Sequence, residues 1–332
     1  MKKVIFTIIL FQIVSMLLAN KRVSLPEVFR PQKIAVNGNR LYIAETGSIL
    51  IYNLENVKFL KRFGKRGEGP GEVQLIQNIF LKKDQLVVNS MKKILLFSVN
   101  GDYIGEKRLS KVFTRYIYPI KDNYVGAYIA GDLRGDGKVY YRIAFLDARL
   151  NQIKTLAERE LPRKGKTTGR LKTDAVKDFF KPRFYEDRVY IGDTWKGFYI
   201  EVFSNNGERI YTINKKYEKI KITDEQIKNI LRWKKKEDGF FTSLTGREIK
   251  YNFREYFPAY EDFTVQDDKI YVFTYKTNNE RQEVIIMDLD GKELGKAFAT
   301  IAKINAIANG KYYYLKDNLD KEEWELYWEE LH

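Results

Sequence analysis

The chain contains no cysteine. That excludes disulfides, thiolate nucleophiles and cysteine-ligated metals. Histidine is almost as scarce: the single copy is His332, the last residue. A frayed terminus is a poor seat for a general base, so Ser-His-Asp and Cys-His catalysis and His-ligated zinc have no residues to run on. Glycine (22) and proline (7) are not in excess, which argues against low-complexity disorder. Long apolar runs are missing after residue 20, so no later segment has the twenty or so apolar residues that a spanning helix needs (about 20).

The first twenty residues, MKKVIFTIILFQIVSMLLAN, differ from the rest. Lys2 and Lys3 precede the charge-free run Val4–Leu18, which is short for a transmembrane helix and suits a secretory signal peptide ending at Ala19. Leu17 is large for the −3 position, and an uncleaved anchor is the alternative. The expectation is a signal peptide over 1–19, a single domain over 20–332, and export to the periplasm, the cell surface or the medium. The whole chain is 44% hydrophobic and 14% aromatic, enough for a sizeable core. The charge is strongly basic, 59 Lys and Arg against 44 Asp and Glu. Nucleic acid is the usual reading of such a balance. Export redirects it to an anionic glycan, a lipid headgroup or an acidic protein.

One pattern recurs beyond residue 30: a short strand, a polar turn, a second β-rich strand. Its copies are 33–45, 78–90, 116–128, 182–194, 262–274 and 305–317, turning at pairs such as Asp267-Asp268 and Asn309-Gly310. A second hairpin follows most copies, at 49–64, 96–109, 141–156, 200–213 and 285–298, with Asn100-Gly101, Asn206-Gly207 and Asp290-Gly291 as the clearest turns. Two hairpins per unit make a four-stranded meander. Six meanders in one open sheet would leave long edges, and radial closure removes them. The expected fold is therefore all-β: a six-bladed β-propeller of four-stranded antiparallel blades, with two β-sandwiches as the alternative. The sixth unit ends with its third strand, WELYWEEL (324–331), while KRVSL (21–25) precedes the first unit without a partner. The N-terminal strand is expected to complete the last blade.

Between units 1 and 2 lies FGKRGEGPGEV (63–73), rich in glycine. It lacks the Lys-Ser/Thr ending of a phosphate loop, and no helix follows it. Glu68 and Glu72 would repel phosphate, so it reads as a turn. The run Gly67-Glu-Gly-Pro-Gly-Glu72 after Phe63-Gly64 resembles the interblade signature of NHL-type six-bladed propellers, including exported bacterial members. The likeness runs through the repeats over roughly 21–332, although the glycine motif occurs once. It implies the propeller fold and a binding scaffold, with enzymatic branches in the family.

DLRGDG (132–137) matches a calcium loop only in part and reads as a hairpin. Two insertions carry more. ELPRKGKTTGRLK (160–172) holds Arg163, Lys164, Lys166, Arg170 and Lys172 without an acid among them. TDEQIKNILRWKKKEDG (223–239) reads as a helix between blades 4 and 5, with a Thr223/Gln226 capping box, Ile227, Ile230 and Leu231 on one face, Lys234, Lys235 and Lys236 in the last turn and Gly239 as its stop. In a meander, the loops between strands 2 and 3 share one face with the blade-to-blade links. Both insertions, the SMKK (90–93) loop and the TWKG (194–197) loop with Trp195 exposed, thus fall on one face. The expected function is a monomeric binding module with a basic ligand face made of those residues, needing no metal or cofactor. The rivals are a lactonase or glycan-cleaving propeller enzyme using carboxylates or calcium, and a structural protein of an envelope complex.

Overall fold

The computed structural model describes residues 21–82, 84–109, 116–132, 137–161, 170–245 and 248–331. Strand β1 (Lys21–Leu25) comes first. Blade 1 follows as β2 (Lys33–Asn37), β3 (Arg40–Ala44), β4 (Ile49–Asn53) and β5 (Lys58–Phe63). Blade 2 is β6 (Ile76–Lys82), β7 (Gln85–Ser90), β8 (Lys93–Ser98) and β9 (Tyr103–Arg108). Blade 3 is β10 (Tyr116–Ile120), β11 (Asn123–Gly131), β12 (Val139–Leu146) and β13 (Gln152–Glu160). After β14 (Arg170–Asp174), blade 4 is β15 (Phe180–Tyr185), β16 (Arg188–Asp193), β17 (Phe198–Phe203) and β18 (Arg209–Lys215). Helix α1 (Asp224–Thr245) and β19 (Glu248–Asn252) lead to blade 5: β20 (Asp262–Gln266), β21 (Lys269–Asn278), β22 (Arg281–Asp288) and β23 (Glu293–Thr300). Blade 6 is β24 (Asn305–Ala308), β25 (Lys311–Asn318) and β26 (Glu323–Glu330).

Each blade is a four-stranded antiparallel sheet, and the sixth has the order β1-β26-β25-β24. Strand β1 runs antiparallel to β26, from Lys21 opposite Trp328 to Leu25 opposite Trp324. Ser24 Oγ adds a hydrogen bond to Glu323. The ring is thus closed by the first strand, as the unpaired KRVSL implied. The innermost strands β2, β6, β20 and β24 pack side by side around the centre. Every pair of neighbouring blades shares a buried cluster. Leu25, Ile34, Leu41 and Leu326 join blades 6 and 1, Tyr42, Phe63 and Val88 join blades 1 and 2, and Ile143, Phe145 and Val189 join blades 3 and 4. Burial at these seams makes the ring cooperative.

The outer hairpins share one construction. In three of them a left-handed glycine closes the turn: Gly101 (φ 79°), Gly207 (φ 78°) and Gly291 (φ 88°). Space as well as angle demands glycine there, because a Cβ on Gly101 would stand 2.5 Å from the ring of Phe63 in the previous blade. Blade 3 places Leu150 at φ 66° in the matching position, which is why its turn is the least legible of the five.

Two local expectations need correction, and one loop residue is placed more closely. Helix α1 runs past Gly239 to Thr245; one glycine costs a helix interior only about 1 kcal/mol, too little to stop it. Leu231 does not join Ile227 and Ile230 against the fold but is 40% exposed. Lys93 of the SMKK loop does not add a free charge to the basic face. It begins β8, its side chain is 8% exposed, and Nζ lies 2.9 Å from Glu106 Oε2 and 2.6 Å from the carbonyl of Gly69.

Those contacts also settle what FGKRGEGPGEV does in the fold. Gly67 N donates to Val73 O (3.2 Å), Val73 N to Lys65 O (2.7 Å) and Gly69 N to the Glu72 carboxylate (2.9 Å). Gly71 N reaches Glu106 (3.1 Å). A Cβ at Gly67 would fall 2.0 Å from Glu72 Oε2, so the loop can fold over its own carboxylate only with glycine there. It is a clamped turn between blades 1 and 2.

Candidate functional site

The two insertions meet. Strand β14 pairs in parallel with β19, Arg170 opposite Glu248 through Asp174 opposite Asn252. Helix α1 contacts β19. It starts on a complete capping box, with Thr223 N donating to Gln226 Oε1 (2.9 Å) and Gln226 N to Thr223 Oγ1 (3.3 Å). Ile227 and Ile230 pack on a satellite core of Val176, Ile222 and Phe257, extended by Tyr275. Phe257 and Tyr275 stack with centroids 4.3 Å apart. The helix is therefore fastened to both insertions and to blade 5.

Phe257 also lines a cleft of about 320 Å³. The opposite wall is the 3₁₀ turn Thr194–Lys196, the link between strands 2 and 3 of blade 4. Trp195 stands there 70% exposed. Its position is built rather than incidental. Asp193 Oδ1 accepts from Trp195 N (3.1 Å) and is ion-paired with Arg159. The Arg159 guanidinium lies 4.8 Å from the Trp195 ring and 4.6 Å from that of Phe180. One face of the indole thus rests on a cation and the ring keeps a fixed orientation while most of it meets solvent.

A second ion pair holds the floor. Asp178, with a side chain 6% exposed, takes two hydrogen bonds from Arg254 (2.7 and 3.0 Å) and one from Thr194 Oγ1 (3.1 Å). The hydrogen bond to Asp178 raises the Arg254 guanidinium further above its ordinary range. Around the rim, Lys219 Nζ stands 5.8 Å from the Tyr256 ring and Lys196 Nζ 4.6 Å from that of Tyr199. Glu255, 3.6 Å from Lys221, is the exposed acid. The cleft therefore offers one flat aromatic platform, aromatic walls and movable cations above a neutralised floor.

The residues singled out from the sequence are distributed as follows. Trp195 lines the cleft. Arg170 and Lys172 occupy β14. Lys235 and Lys236 are exposed on α1, whereas Lys234 turns its Nζ to the rings of Trp233 (4.6 Å) and Tyr251 (5.8 Å). Arg163, Lys164 and Lys166 lie outside the described residues, as do His332 and positions 133–136 of the DLRGDG loop. The Gly137 N–H bond to Asp132 (3.0 Å) places that loop's ends in a hairpin. Sequence reasoning missed Arg159, Asp178 and Arg254. Each acts through a partner distant along the chain, and no local motif marks it. Among the described residues, no group of three His, Cys, Asp or Glu is placed to hold a metal ion. Nor is any described helix long and apolar enough to cross a membrane.

Several solved structures align over most of this chain at low identity and with TM-scores under 0.5. The Kluyveromyces lactis Hsv2 structure with complete loop 6CD is 9% identical, with 92% of this chain and 99% of that chain covered at a TM-score of 0.38. The Neurospora crassa Pan2 WD40 domain is 8% identical over 92% and 93%, with a TM-score of 0.43. The β-propeller domain of Myceliophteria thermophila Cps50 (Swd1) is 10% identical over 92% and 99%, at 0.39. No curated protein matches the sequence. The profile of a 6-bladed beta-propeller family, by contrast, matches residues 26–196 directly, in agreement with the six four-stranded sheets. The chain belongs to this family of 6-bladed β-propellers.

Proposed function

We propose that the protein is a binding module that takes an anionic glycan in the Trp195 cleft. The observation that carries this reading is the indole itself: 70% exposed, yet fixed from behind by Arg159. An exposed Trp has no packing reason for such a support, and a flat, oriented aromatic ring is a stacking platform for a sugar. Exposed Lys219 in the cleft lining and Lys196 beside Trp195, the latter also 3.7 Å from Glu201, with Lys235 and Lys236 on the adjoining helix, supply charge for carboxylates on that sugar. The link to an NHL-type scaffold, suggested by Gly67–Glu72, fits a binding role. Export belongs to the same reading, with the mature chain starting near Asn20, and N-terminal sequencing of protein from its native host checks it.

The direct test uses oligogalacturonate, a polyanion of carboxylates alone. Trp195→Ala is expected to weaken its binding about tenfold by removing the platform and to leave the melting temperature unchanged, because the side chain is mostly in solvent. Equal affinity of the variant and the parent would overturn the cleft as the site.

A further inference from the structure

A second opening lies on the same face at blade 1 and shares no residue with the Trp195 cleft. It is a shallow, open hollow of about 360 Å³ between the β1–β2 link (Phe29, Arg30), the Thr46–Ser48 loop and the start of the interblade turn (Lys65, Arg66). Its floor is Glu45, 6% exposed. That carboxylate is fully engaged: it accepts from Phe29 N (2.7 Å), Arg30 N (3.0 Å) and Ser48 Oγ (3.3 Å) and is paired with Arg62. Burial pushes its carboxyl up, but the two backbone N–H groups and Arg62 outweigh burial and leave it below the ordinary range. The floor is therefore neutral as a pair and has no charge left for the cations above it.

Of those cations, Lys65 is spoken for in part: its side chain is 83% exposed and its Nζ is ion-paired with Glu72 at 3.8 Å. Arg30 and Arg66 are exposed, and neither has a carboxylate partner among the described residues. Arg66 is pressed against the pocket wall because residue 47 is glycine: a Cβ there would come within 2.8 Å of Arg66 Cβ. Beside them Phe29 is 71% exposed, with the Arg62 guanidinium 5.9 Å from its ring centre. Arg30 and Arg66 both line this opening, and two guanidinium forks match an oxyanion with three oxygens to share. A lone carboxylate fills only one fork.

We propose that this pocket binds a tetrahedral oxyanion, a phosphate or sulfate monoester, on a sugar-sized body that lies against Phe29. The volume stands at the small end of ligand pockets, about 300–1,000 Å³, and suits one sugar ring with its ester group. The glycine-rich stretch thus contributes to anion binding through the side chains of Lys65 and Arg66 at its start, while its backbone serves the turn.

The experiment is calorimetric titration of the full mature chain with glucose 6-phosphate, glucose 6-sulfate, glucuronate and glucose at low salt. One or both esters are expected to bind, with glucuronate and glucose much weaker. Binding of the phosphate alone identifies a dianion as the ligand group, and binding of both identifies the tetrahedral shape. Arg30→Gln/Arg66→Gln is expected to cut ester affinity about tenfold or more, by loss of charged hydrogen bonds, while Trp195→Ala leaves it unchanged. Gly47→Ala, which displaces Arg66 without removing charge, should weaken the ester as well. The proposal is overturned if neither ester binds, if glucuronate binds as tightly as the esters, or if the double variant binds like the parent. Because oligogalacturonate binding is read separately, failure here and failure of the Trp195 cleft are distinguishable.

Discussion

Removing residues 21–25 should unfold the protein at temperatures where the parent is stable. Strand β1 is the fourth strand of blade 6, and without it β26 becomes an open edge. Leu25, fully buried among Val28, Ile34 and Leu326, leaves the seam between blades 6 and 1. Burial of such a side chain contributes roughly 1.5–3 kcal/mol, and each of the lost ladder hydrogen bonds about 1 kcal/mol more. The total approaches the 5–15 kcal/mol or so that holds a typical domain together. The milder variant Leu25→Ala keeps the strand and should cost about 2–5 kcal/mol. Thermal unfolding of both chains checks this. A deletion that melts with the parent would mean that the ring does not depend on β1.

Lys93→Met is the second large effect. It removes the cation from a pair whose side chains are only 8% and 14% exposed. Glu106 then loses its buried cation and keeps only the N–H of Gly71, the Tyr103 side chain and the more distant charge of Arg108, and losing one partner of such a pair costs about 3–5 kcal/mol. In the parent, burial pushes the Glu106 carboxyl up, but the hydrogen bonds from Lys93 and Gly71 N together with the charges of Lys93 and Arg108 outweigh it, and the group titrates below its ordinary range. A carboxyl lowered in the folded state stabilises above its unfolded value, about 4.3, and that contribution fades as pH falls through the lower folded value. The gap between Lys93→Met and the parent should accordingly be widest near neutrality and narrow in acid. Adding Glu106→Leu should recover much of the loss. Denaturant unfolding at neutral and acid pH measures all three, and a deficit that grows as pH falls would contradict the assignment.

The legible and illegible parts of the molecule divide on physical grounds. Turn chemistry is local, so Asn206-Gly207 and Asp290-Gly291 announce their hairpins without help from the rest of the chain. Ring closure followed from counting: a last unit one strand short and a first strand with no neighbour. The β14–β19 pairing, the Asp178–Arg254 pair and the support of Trp195 by Arg159 are contacts between segments that no periodicity relates, so the sequence held no signal for them. Trp195 itself was visible, because an aromatic residue in a short polar loop has nowhere to hide. Lys93 was legible only as part of a basic loop. A lysine beside a loop reads as solvated, and only the fold reveals Glu106 and the Gly69 carbonyl around its ammonium group.

The proposed binding face is tested most directly by charge reversal on two sides of the same protein. Lys196, Lys219, Lys235 and Lys236 are changed to Glu on the face of the insertions, and Lys121, Arg188, Lys269 and Lys292 on the face of the hairpins. Oligogalacturonate titrations are then run at rising salt, where exposed charges are screened beyond about 10 Å at 0.1 M. Loss of binding in the first set alone, with the parent's affinity falling steeply as salt rises, is the expected result. Equal loss in both sets would show that net charge, not a site, attracts the ligand, and undiminished binding in the first set would place the ligand elsewhere.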